Sequence, residues 1–400
     1  MYLKITNSTE THHGFIYKNG LNILEEYFNP NPNYLHIMKG LYFTTEQYIC
    51  CYLHMGIYLR VIELPEDVKM VSDDGYTYRA NKIIFRQRMN LSMIETFEWL
   101  HSIGTNFRIQ NDQALRWASN RGLISVVKYL IKMGSSIMNS GCLIDAVESG
   151  SIDMVKYLLE EGADVNIFNS YALVACCNCI QGSTGMLHML IAKGANLKDR
   201  GPECLEMATK HGKMFMVQFL LNFGVNSKLN NYMAFRTSVM INDENMAKIL
   251  AINNECIESN NNEAIISAVK NNNLDLVKFL HMKGANIHVQ RNKPLRISIK
   301  EGNLPMIIFL IEKGAYIRYG NDKAIKTAAQ MKNFSLVKFL LEKNLVNYSA
   351  LTIAIENGDL PMIKEFFNKW DIPKTLIKKA IDQAMKSNNI HVIKYLTKKN

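Results

Sequence analysis

Four kinds of position recur about every thirty residues through residues 111–400, and this repeat constrains the chain more than any other feature. The unit is clearest in GCLIDAVESGSIDMVKYLLEEGADVNIFNS, residues 141–170. It contains two short segments with helical periodicity. CLIDAVES places Leu143, Ala146 and Val147 on one face, and SIDMVKYLLEE does the same with Ile152, Val155, Leu158 and Leu159. Neither is long enough to persist alone in water, so each apolar stripe has to be covered by neighbouring copies. Gly150 and Gly162 follow the two segments and suit left-handed helix caps, while Asp164 to Asn166 is turn chemistry.

The copies hold register along the chain. A closing position ends the first helix at 122, 150, 182, 212, 242, 272, 302, 332, 358 and 388, with steps of 28, 32, 30, 30, 30, 30, 30, 26 and 30. Twelve residues later comes a second closing position, from Gly134 and Gly162 to Asn254, Asn344, Trp370 and Asn400. A small residue sits four before the first closing position (Ala118, Ala146, Ala208, Ser238, Ala268, Ser298, Ala328, Ala354, Ala384), and Cys176 takes its place in a third copy that carries an insertion. A bulky residue sits seven before it, as at Leu115, Leu143, Phe235 and Ile381. Self-similarity at this period predicts a stack of helix pairs.

GADVN at 162–166, GANL at 194–197, GANI at 284–287, Pro294-Leu295 and the Ala column together resemble ankyrin repeats. The resemblance covers roughly three quarters of the chain. It implies a mainly α fold, an ankyrin-type helical solenoid. The family's T-P-L-H is reduced here, and the period is mostly 30 against about 33 for the family. The missing residues fall between the second closing Gly and the next first helix, where the family builds a β-hairpin finger. The finger loops are therefore expected to be shortened to turns, with almost no strand in the repeats. Ten repeats are expected at 111–140, 141–169, 170–201, 202–231, 232–261, 262–291, 292–321, 322–347, 348–377 and 378–400.

Residues 1–88 do not follow the repeat and read as a small α+β N-terminal domain. MYLKIT is expected as an edge strand, GLYF at 40–43 as a strand, and 44–56 as a helix capped by Thr44 or Thr45. IYLRVIEL and YTYRANKIIF are further strands, and Asn29 to Asn33 is a loop. GLYFT, YLRVIELPED and YRANKIIF, in that order, resemble the module preceding ankyrin arrays in giant DNA viruses of amoebae (mimivirus-like). Residues 89–110 read as a degenerate capping half-repeat, with SMIETFEWLHSIG as its helix and Gly104 as its closing position.

Composition narrows function. No run of 18 apolar residues exists, and MYLKITNSTE lacks the apolar core of a signal peptide, so no membrane role is expected and the compartment is the cytoplasm (host cytoplasm for a viral protein) or the nucleus. Eight cysteines read as reduced thiols; Cys176, Cys177 and Cys179 lack the spacing of a metal site and read as small residues at a tight junction. The last repeat closes at Asn400, so no F-box-like tail is expected, which weakens a ubiquitin-ligase link. His12-His13, Glu63 and Arg79 come with no nucleophile–base spacing and no phosphate loop. No enzymatic activity, cofactor or metal is expected.

In ankyrin-like stacks the first helices line the inner groove, with variable positions five, two and one before the closing position. Trp117, Asp145, Glu148, Met207, Lys210, Met240, Lys270 and Lys300 stand there, with neither charge nor chemistry repeating. Such a mixture suits protein recognition on a rigid surface. Trp117 is the candidate anchor, set against packing on Phe97 or Trp99. Phe168, Tyr232 and Tyr319 are weaker turn candidates. The reading is a monomeric, non-enzymatic protein that binds another protein through its concave face, with a viral or host partner. The alternative is a nucleic-acid-associated protein using the C-terminal repeats, since residues 321–400 carry fourteen basic and seven acidic groups.

Overall fold

The computed structural model describes residues 1–30, 39–72, 74–138, 140–315 and 321–399. Pro32, Asn33, Asp73, Tyr319 and Asn400, on which parts of the sequence reading fall, lie outside them. The chain divides into two compact units, Met1–Val225 and Asn226–Asn400.

The first unit opens with a seven-stranded antiparallel sheet. Its strands are β1 (Tyr2–Thr6), β4 (Gly20–Ile23), β5 (Leu41–Thr45), β6 (Tyr58–Glu63), β7 (Met70–Ser72), β8 (Thr77–Ala80) and β9 (Lys82–Asn90), in the order β4-β9-β6-β1-β5-β8-β7. A hairpin of β2 (Thr11–His12) and β3 (Phe15–Ile16) lies outside this sheet. Leu41, Phe43, Ile62, Ala80, Ile83 and Phe85 form its core with Tyr17.

Three expectations fail here. YTYRANKIIF is not one strand: Asn81 divides it into β8 and β9, which are not neighbours in the sheet. β1 is central, between β5 and β6, not an edge; four of its five residues are buried, as covering on both faces requires. Residues 44–56 are not one helix: Thr44 and Thr45 belong to β5, paired with Leu3 and Tyr2, and only Ile49–Met55 coils, as a 3₁₀ helix. Strand pairing on both sides of β5 claims the threonines that a capping pattern would have used.

Among the described residues every strand ends by Asn90, so the repeats carry none. The half-repeat is α1 (Ile94–Ser102), closed at Gly104 with φ 84°. Four helix pairs complete this unit: α2 (Ile109–Asn120) with α3 (Ile124–Lys132), α4 (Cys142–Ser149) with α5 (Ile152–Glu160), α6 (Ile167–Asn178) with α7 (Thr184–Ala192), and α8 (Leu197–Lys210) with α9 (Met214–Asn222). The second unit holds six more: α10 (Leu229–Met240) and α11 (Glu244–Leu250), α12 (Asn254–Lys270) and α13 (Leu274–Met282), α14 (Val289–Glu301) and α15 (Leu304–Glu312), α16 (Asn321–Gln330) and α17 (Phe334–Glu342), α18 (Tyr348–Glu356) and α19 (Leu360–Lys369), α20 (Lys374–Lys386) and α21 (Ile390–Thr397).

The columns have a physical meaning in these helices. Every small residue of the minus-four column is buried, which lets first helices pack α2 on α4 on α6 on α8, and α10 through α20 in the second unit. The bulky column is buried from Leu115 to Leu351 and only half-buried at Ile381, in the last pair. Nine of the ten first closing positions have positive φ, including the non-glycine Asn242, Asn272, Lys332 and Asn388. Asn tolerates that region; Lys332 shows the fold imposing it. Gly182 is the exception. Its glycine is needed for room, since a Cβ there would lie 1.7 Å from the carbonyl oxygen of Cys176.

Two second closing positions depart from expectation. α11 ends at Leu250, and Asn254 instead begins α12, capped by Asn253, whose side chain accepts from Cys256 N. Trp370 is extended, with φ −130°. The links also hold a device that the period alone does not announce. At 110–112, 168–170, 230–232, 260–262 and 290–292, within the ranges given for α2, α6, α10, α12 and α14, three consecutive residues form a left-handed turn, with φ of 49–58°, and the regular first helix runs on from there. Such turns cost roughly 1–2 kcal/mol per non-glycine residue. Nine of the fifteen residues are Asn or Asp, the types that reduce this cost by local hydrogen bonding.

Neighbouring copies are also pinned by side chains just after the first closing position. Asn273 accepts from Leu276 N (2.9 Å) to cap α13 and donates Nδ2 to Asn242 Oδ1 of the preceding copy (2.9 Å). Asn303 caps α15 and donates to Asn272, and Asn333 caps α17 and donates to the Gly302 carbonyl (3.1 Å). In the inserted copy the same position of the following repeat is Lys213. Its ammonium donates to the carbonyls of Cys176 (3.2 Å), Gly182 (3.4 Å) and Cys179 at the end of α6.

Candidate interaction face

The residue two before each first closing position is exposed in all ten copies: Asn120, Glu148, Ile180, Lys210, Met240, Lys270, Lys300, Gln330, Glu356 and Lys386. Helical geometry gives the reason. With the minus-four position turned into the stack, a residue two further on points about 200° away from it. The minus-five column lies between, half-buried at Asp145, Met207, Thr237, Ser267, Ile297 and Thr327. In each unit the first helices therefore present a row of exposed side chains over a shelf of half-buried ones.

Of the residues singled out from sequence, Glu148, Lys210, Met240, Lys270 and Lys300 stand in the exposed row, and Asp145 and Met207 on the shelf. Trp117 does not present itself as an anchor. It is 9% exposed, its ring packs 6.2 Å from Phe97, and the Arg121 guanidinium covers it at 5.2 Å. The half-repeat helix that supplies Phe97 withdraws the indole from the surface. Of the turn aromatics, Phe168 is exposed, whereas Tyr232 is buried and donates to Glu255 (2.8 Å).

Asp145 is the most structured member. Arg116 grips it with two hydrogen bonds, Nε to Oδ2 at 2.7 Å and Nη2 to Oδ1 at 3.3 Å, and Asn120 donates to its carbonyl at 3.2 Å. Burial raises its carboxyl above the ordinary range, and Arg116 opposes that shift. Glu148 is also raised, by burial and then by the Asp145 charge. The two carboxylates and one arginine make a compact polar group of one face of α4 and its neighbour.

Sequence reasoning missed Arg116 and Ile180. Arg116 lies one residue before a scored column. Ile180, 91% exposed, occupies the same row in the inserted copy and is found by counting two back from Gly182.

The cysteine cluster behaves as junction packing. Cys176 and Cys177 are buried and Cys179 half-buried, all as free thiols, and burial pushes the Cys176 thiol up to about 12. Among the described residues no helix is long and apolar enough to cross a membrane.

Comparison with known proteins places these features. The family described as "Ankyrin repeats (3 copies)" matches residues 88–169, 238–321 and 265–349. A protein of Acanthamoeba polyphaga mimivirus named as an ankyrin repeat protein is 41% identical over 136 residues, 33% of this chain and 67% of that one. An uncharacterised protein of the same virus is 37% identical over 134 residues, 33% of this chain and 97% of its own. A further mimivirus protein with an ankyrin repeat name is 37% identical over 139 residues, 34% of this chain and 41% of that one.

Proposed function

Because the chain belongs to the ankyrin repeat family, we propose that it is a non-enzymatic protein-binding module that takes its partner on the first-helix face. The observation that carries this reading is the minus-two row. It is exposed in every copy, while its chemistry runs through amide, acid, aliphatic, base and thioether. Solvent-facing positions whose chemistry changes along each unit, with Lys at four of the ten and Glu at two, suit recognition of an irregular protein surface. The viral relatives support a viral protein acting on a host or viral partner in the host cytoplasm. The partner is engaged by a monomer.

The test compares two variants of the full chain in affinity capture from amoebal lysate. One replaces Met240, Lys270, Lys300 and Gln330, all of the second unit, by Ser. The other replaces exposed second-helix residues Lys156, Lys278 and Lys338 by Ser. A partner lost with the first and kept with the second supports the reading. A partner kept by both, or lost only with the second, refutes it.

One observation favours a second reading for the last repeats. The ion pairs among the described residues end at Lys278–Asp275, so Lys374, Lys378, Lys379, Lys386, Lys398 and Lys399 stand exposed without a carboxylate partner. This uncompensated charge suits an acidic ligand, nucleic acid included. Counterion release then predicts affinity for random DNA that falls steeply with salt. Absence of a salt-dependent shift leaves the protein-binding reading alone.

A further inference from the structure

The N-terminal sheet contains a feature that partner binding does not use. The β1–β5 ladder pairs only Tyr2 with Thr45 and Leu3 with Thr44, and beyond that point the two strands part. A cavity of about 220 Å³ opens there, walled by Leu3, Ile5, Phe43, Ile49 and Met55. Lys4 lies at its polar end. The side chain is 5% exposed; its Nζ donates to the Tyr42 carbonyl (2.7 Å) and sits 4.8 Å from the centre of the Tyr17 ring. Among the described residues it has no carboxylate within ion-pair distance. Glu10, a buried acid of the same domain, is held instead by Arg60 and Arg88. His12 and His13 also line the cavity.

A buried amine with no counter-ion sheds its proton to avoid the cost of an unpaired charge. Burial brings Lys4 down to about 7, from an ordinary 10.5. His12 falls to about 4, first through burial and then through the Lys4 charge, and is neutral at pH 7. An amine with a free lone pair and an apolar chamber beside it are what capture of a carbonyl compound requires.

We infer that Lys4 and the cavity between β1 and β5 form a capture site for small apolar aldehydes, held as an imine. The Lys4 nitrogen attacks the carbonyl carbon and the new C–N bond forms as the carbonyl π electrons move to oxygen. A proton passes from the nitrogen to that oxygen. The hydroxyl then leaves with the second amine proton as water, and C=N remains. One aldehyde and one amine give one imine and one water, with no oxidant or reductant. The alkyl chain lies along Leu3, Ile5, Ile49 and Met55. Capture is stoichiometric, consistent with a protein that turns nothing over.

The full chain is treated at pH 7 with limiting pentanal and cyanoborohydride, which reduces any imine to a stable secondary amine, and every lysine is scored by mass spectrometry. Lys4 is expected to be alkylated at least about tenfold more than exposed lysines, whose neutral fraction at this pH is roughly a thousandfold smaller. The Met1 amino group, on Glu46 at 2.7 Å and open to solvent, is the internal reference for an amine of ordinary surface access. Replacing pentanal by formaldehyde, which gains nothing from an apolar wall, should lower the Lys4-to-Met1 ratio. Met55→Trp, which fills the chamber, should lower Lys4 labelling by pentanal and leave Met1 unchanged. Lys4→Met should abolish it with the fold retained by circular dichroism. Lys4 labelling no greater than that of exposed lysines overturns the inference, and so does labelling indifferent both to chain length and to Met55→Trp.

Discussion

Lys213→Met removes a cation from the end of α6 while keeping the length of the side chain. In the native protein its ammonium holds the carbonyls of Cys176, Cys179 and Gly182, where the inserted copy turns without the left-handed residue found at the other nine first closing positions. A hydrogen bond to a charged group contributes about 1.5–3 kcal/mol, and a cation at a helix C-terminus adds about 0.3–1 kcal/mol. The three bonds share one ammonium that gives up part of its hydration, so they do not sum. Two of the carbonyls also keep other donors: the Cys179 carbonyl accepts from Gly182 N (3.2 Å), and the Cys176 carbonyl faces the Cys179 thiol (3.8 Å). The expected loss is therefore about 2–3 kcal/mol, read by urea denaturation of the full chain. The damage should be local. Amides of residues 179–184 should exchange faster, and Cys179, half-buried beside Lys213, should be alkylated faster by iodoacetamide. Lys213→Arg should lose an intermediate amount, because a planar guanidinium cannot converge on three carbonyls as an ammonium does. Stability within about 0.5 kcal/mol of the native protein, with unchanged exchange and thiol reactivity, would refute the reasoning and leave Lys213 as a surface residue.

Ala268→Glu puts a carboxyl into a fully buried contact of α12 and should cost several kcal/mol, with hydrogen exchange accelerating first in residues 254–301; unchanged protection there would contradict the stacking of first helices. Asn303→Ala should cost about 1–1.5 kcal/mol by losing both a cap and a tie to Asn272, and Asn303→Asp should restore the cap part; equal losses in the two variants would show that only the tie matters. Lys4 binds its proton in the unfolded chain up to about 10.5 but in the folded chain only to about 7, so stability should rise with pH across that window; Lys4→Met should flatten the slope, and an unaltered slope in chemical denaturation would place the amine in water. Asp145 and Glu148 should both titrate above the ordinary carboxylate range by NMR, and Arg116→Met should raise Asp145 further; an Asp145 value that does not move would mean the pair is not formed in solution.

The repeats were legible because their constraints are local and periodic. A small residue where helices approach and a left-handed residue where a helix closes are each fixed by one position, so Ala268 and Gly302 declare themselves in the sequence. The exposed row followed from the same register. What escaped depends on contacts thirty residues apart or on competition between elements. Lys213 reads as an ordinary lysine until the preceding copy's carbonyls are placed over it. Thr44 and Thr45 make as good a helix cap as a strand end, and only pairing with Leu3 and Tyr2 decides. The three-residue left-handed turns hide because Phe168 or Arg291 carries no preference for them; the fixed span between two packed helices imposes the conformation. For Trp117 the sequence offered both an outward anchor and packing on Phe97 or Trp99, and the contact with Phe97 decides for packing.

The asparagine ties bear on how such a gene can change length. Each tie joins a donor just after one closing position to an acceptor at the closing position of the copy before, and Asn272-Asn273 carries both halves in adjacent codons. Unequal crossing-over that deletes or duplicates thirty codons between equivalent points leaves every junction with one donor and one acceptor. The Gly302 carbonyl serves as acceptor as well as an Asn amide does, so the partner copies need not match in sequence. Copy number along the Asn242–Asn333 stretch can thus drift by recombination without a compensating point mutation. The inserted copy is tied differently: Lys213 holds three carbonyls of the copy before, where each of these asparagines holds a single acceptor.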